Sequence, residues 1–152
     1  MALAEVDYLN GGGSPAEYPI PATLTHYNYM SQTFTGDSVP AYFECNSATN
    51  YAWIVYSTSA VDLSDYSKIV LEGRLLTYCS GGSFTQGIQV GITDTTPNTG
   101  NESDYVLKRP MNTTGDFKIE LDVSSVSGSK YIKLCCFTSI NKGYLDKLYL
   151  LK

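Results

Sequence analysis

Phe117-Lys118-Ile119-Glu120-Leu121-Asp122-Val123-Ser124-Ser125-Val126-Ser127-Gly128-Ser129-Lys130-Tyr131-Ile132-Lys133-Leu134 reads as strand, turn, strand. In the first part the apolar residues hold the odd positions, Phe117, Ile119 and Leu121, with Lys118 and Glu120 between them. In the last part Ile132 and Leu134 share a face. A period of two buries one side of a strand and leaves the other in water, the pattern of an antiparallel sheet. Between the two lies a run of Asp, Ser and Gly, whose side chains accept backbone N–H groups and close tight turns.

The same device occurs earlier. Val61-Asp62-Leu63-Ser64-Asp65-Tyr66-Ser67-Lys68-Ile69 matches residues 121–132 in kind: an Asp, an apolar residue and a Ser, then an apolar residue followed by Ser, leading into a strand. It reads as fold punctuation, with the apolar residues plugging one end of a sandwich. Beyond it, Lys68–Leu75 puts Ile69, Leu71 and Gly73 on one face.

Working outward, strand signals recur at all-β spacing over Leu24–Tyr29, Ala41–Cys45, Tyr51–Tyr56, Lys68–Thr77, Gly87–Thr93, Asp104–Lys108, Phe117–Asp122, Lys130–Thr138 and Tyr144–Leu151. No tract carries a helical period, and the connections are too short for crossover helices. The expected architecture is an all-β, jelly-roll-like antiparallel β-sandwich over residues 22–152, preceded by an extended N-terminal arm over residues 1–21. The expected core includes Ile69, Leu71, Ile119, Leu121, Ile132, Leu134 and Leu148. In the arm, Val6, Tyr8 and Leu9 are apolar enough to want burial, yet Gly11-Gly12-Gly13 decouples them from the sandwich. They are expected to be an attachment segment for another subunit; the alternatives are a plain tail or an extra edge strand of the chain's own sandwich.

A chain of 152 residues is long enough to bury a core without metals or disulfides. Its 13 tyrosines suit half-buried pleated surfaces and contact surfaces alike. The net charge of −5 argues against nucleic acid and anionic membranes as partners. No apolar run approaches a membrane span, and Met1 to Glu5 lacks the features of a signal peptide. Cys45, Cys79, Cys135 and Cys136 contain no paired zinc spacing and read as reduced, buried thiols, with a single bridge from Cys79 to Cys135 or Cys136 as the alternative.

The segments already quoted resemble small jelly-roll domains of phage and prophage structural proteins. Val61–Leu71 looks like a strand opening in those domains, Phe117–Leu134 is similar to their penultimate hairpin, Gln89-Val90-Gly91-Ile92-Thr93 resembles a further strand, and Leu145-Asp146-Lys147-Leu148-Tyr149-Leu150 their last one. Such domains are galactose-binding-like or carbohydrate-binding-module-like sandwiches. The resemblance implies a virion component made in the host cytoplasm, whose partners are other virion proteins, copies of itself or a glycan. It transfers no binding residue. Because the domain fills nearly the whole chain, a capsid-decoration, head-fibre or tail-associated role is expected over an adhesin tip.

The residues offer little for catalysis. His26 is the sole histidine, so any Ser/His/Asp or Cys/His arrangement would depend on it. The acids fall in loops or on the solvated faces of strands. No catalytic residue, cofactor or metal is expected, and the oxygen-rich Thr93–Asp104 loop matches no defined calcium spacing. The most suggestive positions are aromatic. Tyr51 and Trp53 share a face of their strand with Val55, and if Ile54 points inward they form an exposed platform on which a sugar ring stacks.

Overall fold

The computed structural model describes residues 15–27, 32–35, 37–45, 53–78, 88–97, 104–136 and 141–152. Twelve strands are described: β1 (Glu17–Pro19), β2 (Leu24–Tyr27), β3 (Gln32–Phe34), β4 (Ala41–Cys45), β5 (Trp53–Ser57), β6 (Val61–Asp62), β7 (Lys68–Thr77), β8 (Ile88–Thr93), β9 (Tyr105–Met111), β10 (Gly115–Asp122), β11 (Ser129–Cys136) and β12 (Asn141–Leu151). They form two antiparallel sheets packed face to face, the β-sandwich that the strand spacing calls for. Sheet A runs β10-β7-β12-β4-β3, with β1 also on β12; sheet B runs β2-β5-β11-β8-β9, with β6 also on β11.

The core lies where the alternation puts it. Ile69, Leu71 and Leu75 of β7, Leu121 of β10, and Leu145, Leu148 and Leu150 of β12 meet Val55, Val90, Ile92, Ile132 and Leu134 of sheet B. Ile119, expected with them, is only half-buried. It sits on β10, the strand at the end of sheet A, whose one described partner in that sheet is β7.

The two Asp-x-Ser turns organise this packing. Asp62 Oδ1 accepts from Ser64 N at 3.0 Å and Ser64 Oγ at 2.7 Å; Asp122 Oδ1 accepts from Ser124 N at 3.0 Å and Ser124 Oγ at 2.6 Å. Leu63 and Val123 follow the aspartates and are fully buried. Each turn then closes in the same way, Tyr66 N donating to Leu63 O at 3.1 Å and Val126 N to Val123 O at 2.8 Å. The first turn carries the chain from sheet B (β6) to sheet A (β7), and the second from sheet A (β10) to sheet B (β11). Pairing is reciprocal: β10 lies on β7, and β6 on β11. The two units are thus related by an approximate two-fold axis through one end of the sandwich. Residues 117–134 are therefore not a hairpin, as the resemblance suggested, because β10 and β11 pair with other strands. Burying Val123 at the turn sends the chain across the core to the opposite sheet. Gly128, with φ of 75°, completes the second turn in a conformation that favours glycine.

Within the stretch read as arm, Glu17–Pro19 forms β1, opposite Tyr149 to Leu151 of β12. Val6, Tyr8 and Leu9 lie outside the described residues.

Candidate functional site

The outer face of sheet A is laid out in rows across its strands. Tyr42 on β4 faces Tyr144 on β12, which faces Arg74 on β7, which faces Asp116 on β10. Tyr42 and Tyr144 rings lie 5.2 Å apart at 51°, within the range of favourable aromatic pairs. The Tyr42 hydroxyl donates to Glu44, and that carboxylate pushes the phenol up to about 12. Tyr42 is thereby a fixed, neutral prop, and Tyr144, 45% exposed, leans on it. Arg74 Nε donates to Asp116 Oδ1 at 2.6 Å. Leu76, two residues beyond Arg74, is 39% exposed.

The adjoining rows differ in character. Lys147, Glu72 and Lys118 face one another on β12, β7 and β10. Glu72 takes ion pairs from Lys118 at 3.4 Å and Lys147 at 3.7 Å, and a hydrogen bond from Tyr149 Oη at 2.7 Å. The Tyr149 hydroxyl, and then the two ammonium groups, hold the Glu72 carboxyl below the usual range. Lys68 reaches Glu120 at 2.5 Å. Val70 lies fully buried among these side chains although it is on the outer face, because long charged side chains cover apolar surface with their stems. Ion pairs thus knit β7 and β10 along the face, and the Tyr42–Tyr144 pair stands on β4 and β12 beside them.

The outer face of sheet B is covered. Gln89, Thr93, Lys133 and Cys135 are all buried. The Tyr105 ring lies across this face, its hydroxyl donating to Gln89 O at 2.9 Å, with Lys133 Nζ 4.7 Å from the ring centre and 3.7 Å from Asp104. Gly91 makes room for it: a Cβ there would strike the Leu107 carbonyl oxygen and come within 2.5 Å of the ring.

A third feature is a groove of about 340 Å³ beside the second turn, lined by Asp94, Val106, Leu107, Asp122, Ser125, Val126, Ser127 and Lys130. Lys130 Nζ lies 2.9 Å from Asp94 Oδ1.

Of the platform expected from sequence, Tyr51 lies outside the described residues. Trp53 opens β5, but its side chain lies outside them too; Val55, read as sharing their face, is fully buried. In the Thr93–Asp104 loop, Asp94 belongs to the groove and Asp104 sits near Lys133, while Asn98, Asn101 and Glu102 lie outside the described residues. Among the described residues no three His, Cys, Asp or Glu side chains gather as a metal site, and no helix is long and apolar enough to cross a membrane. Sequence reading missed Tyr42 and Tyr144. They stand far apart in the chain and meet only because β4 pairs with β12, which no local pattern announces. Comparison with known protein families and with curated proteins finds no match for this chain.

Proposed function

We propose that this chain is a small structural component of a phage virion, a capsid-decoration, head-fibre or tail-associated protein, acting by assembly and surface binding. One observation carries the binding part: the Tyr42–Tyr144 pair, with Leu76 nearby, lies open at the end of a face otherwise knit by ion pairs. Tyrosine gives large contact area at low entropic cost and is enriched where proteins meet. The virion part is supported by the resemblance, whose segments form one continuous frame here: the two turns, the central strands β7 and β11, and β8 and β12.

A second reading, recognition of a glycan, draws on the same pair, since a sugar ring stacks on an exposed aromatic face. The experiment is to purify particles from infected cells and follow this protein and its Tyr144→Ala variant by quantitative mass spectrometry. Co-purification of the wild type, with loss of the exposed-face variant at unchanged melting temperature, is the expected result. Absence of the wild-type protein from purified particles overturns the virion reading. A variant that associates as well as wild type removes the aromatic pair from it. Deleting residues 2–13 tests the attachment role of Val6, Tyr8 and Leu9 in the same assay; undiminished association would remove it.

A further inference from the structure

The two-fold relation between the turns sets two corners of the sandwich side by side for comparison. In the first, Tyr66 of the turn meets Tyr18 of β1, ring centres 5.9 Å apart at 64°. The Lys152 ammonium lies 5.2 Å from the Tyr18 ring and 5.9 Å from that of Tyr66. In the second corner, the place of Tyr66 is held by Val126. Beside it Leu107 of β9, opposite Ile92 of β8, lines the groove. The aromatic ring of the first turn is replaced by a smaller aliphatic side chain. The groove of about 340 Å³ stands there.

We infer that this second corner is a binding site for one saccharide residue. The floor is apolar, Leu107 and Val126, flanked by Val106, which is 49% exposed. The rim carries the Asp94 and Asp122 carboxylates, the Ser125 and Ser127 hydroxyls, and the Lys130 ammonium. Two carboxylates disfavour a phosphate or any other anion, and the ammonium beside them disfavours a bare cation. A neutral ligand with an apolar face and hydroxyls around its edge satisfies every part: the C–H face covers the valines and leucine, and the hydroxyls donate to carboxylates in charge-assisted bonds. The volume lies at the small end of ligand sites and suits a single ring better than a protein segment. The inference goes beyond the glycan reading above: it places a sugar at a different site and does not depend on the Tyr42–Tyr144 pair.

The test is a solution NMR titration of the full chain with glucose, galactose, mannose, N-acetylglucosamine and their common disaccharides, following the methyl groups of Val106, Leu107 and Val126. One of these sugars should shift all three in a saturable way. Val126→Tyr, which puts an aromatic ring back at this corner, should weaken that binding at least tenfold, a loss of about 1.4 kcal/mol, whereas Lys118→Ala, on the outer face of sheet A, should leave it unchanged. Should Val126→Tyr fail to fold, the wild-type methyl shifts and Asp94→Asn, with the same loss expected, decide the matter. Shifts confined to the Tyr42–Tyr144 face, or none with any sugar, overturn the inference. Neither result bears on particle association, which is measured separately.

Discussion

Leu63 N donates to Gly128 O at 3.1 Å, and Val123 N donates to Ser67 O at 2.8 Å, so each turn's buried plug is anchored to the end of the other turn. Gly128 N also donates to Ser64 Oγ at 3.2 Å, and Ser67 N to Leu151 O at 2.8 Å. The end of the sandwich is closed by one interlocked unit, not by two separate loops. Leu63→Ala should cost about 2–5 kcal/mol, and Val123→Ala about 1.5–3 kcal/mol, each measured by urea unfolding. Losses under about 0.5 kcal/mol, the size of ordinary surface effects, would show that these residues do not plug the core.

Gly91 is a packing requirement. Gly91→Ala should destabilise by about 1–3 kcal/mol or more, because its Cβ meets backbone and ring and not a flexible side chain. Tyr105→Phe keeps the ring and loses the hydroxyl's bond to Gln89 O and its longer contact with Lys133 O, so about 0.5–1.5 kcal/mol is expected. Thermal melts of both variants check the order. A Gly91→Ala protein as stable as wild type would remove Tyr105 from the face of sheet B.

Stability should fall in acid. Asp62 and Asp122 are held low by Ser64 and Ser124, Asp116 by Arg74, Glu120 by Lys68, and Glu72 by Tyr149 and its two lysines. All five carboxyls release their proton more readily when folded than when unfolded. Their contribution is complete above the ordinary carboxylate range, about pH 4–5, and drains away as pH falls through the lower folded values. The melting temperature should be flat from neutral pH to about 5 and drop below about 4. A flat profile down to pH 3 would contradict this. Because these groups are exposed, salt should weaken their ion pairs.

Cys135 is fully buried, in contact with Tyr56 and Tyr105. Alkylating reagent should leave it unmodified in the native protein and modify it once denaturant is added. Rapid modification without denaturant would show that the cover over sheet B opens readily.

Much of the sandwich could be read in advance, and the reason is local. β4 and β7 span the expected residues, because the alternation of Ile69, Leu71 and Leu75 with charged neighbours is a signal carried within one strand. The paired turns were visible as a repeated Asp-apolar-Ser pattern, since Asx chemistry acts over two residues. What that pattern could not convey is that the turns bond to each other, a relation across 65 residues between Leu63 and Gly128. β1 lies within the stretch read as arm, because Pro19 and the nearby Pro21 argue against a central strand while an edge strand tolerates them. The Tyr42–Tyr144 pair and the groove are assembled from β4 with β12, and from residues in and beside β8, β9, β10 and β11, so no window of sequence contains either.

The position of β12 has a consequence for how the protein comes into being. This strand holds the middle of sheet A, bonded to β7 on one side and to β4 and β1 on the other, yet it is the last of the described strands to leave the ribosome. Until residue 151 has emerged, β1 has no described strand to pair with, β7 lacks one of its two neighbours, and Ile69 and Leu71 have no Leu148 or Leu150 beside them. Folding during synthesis therefore stalls at a half-built sheet, whose open strand edges make it prone to stick to other nascent chains. Slowing the ribosome over residues 141–151 should lower the soluble yield more than slowing it anywhere earlier.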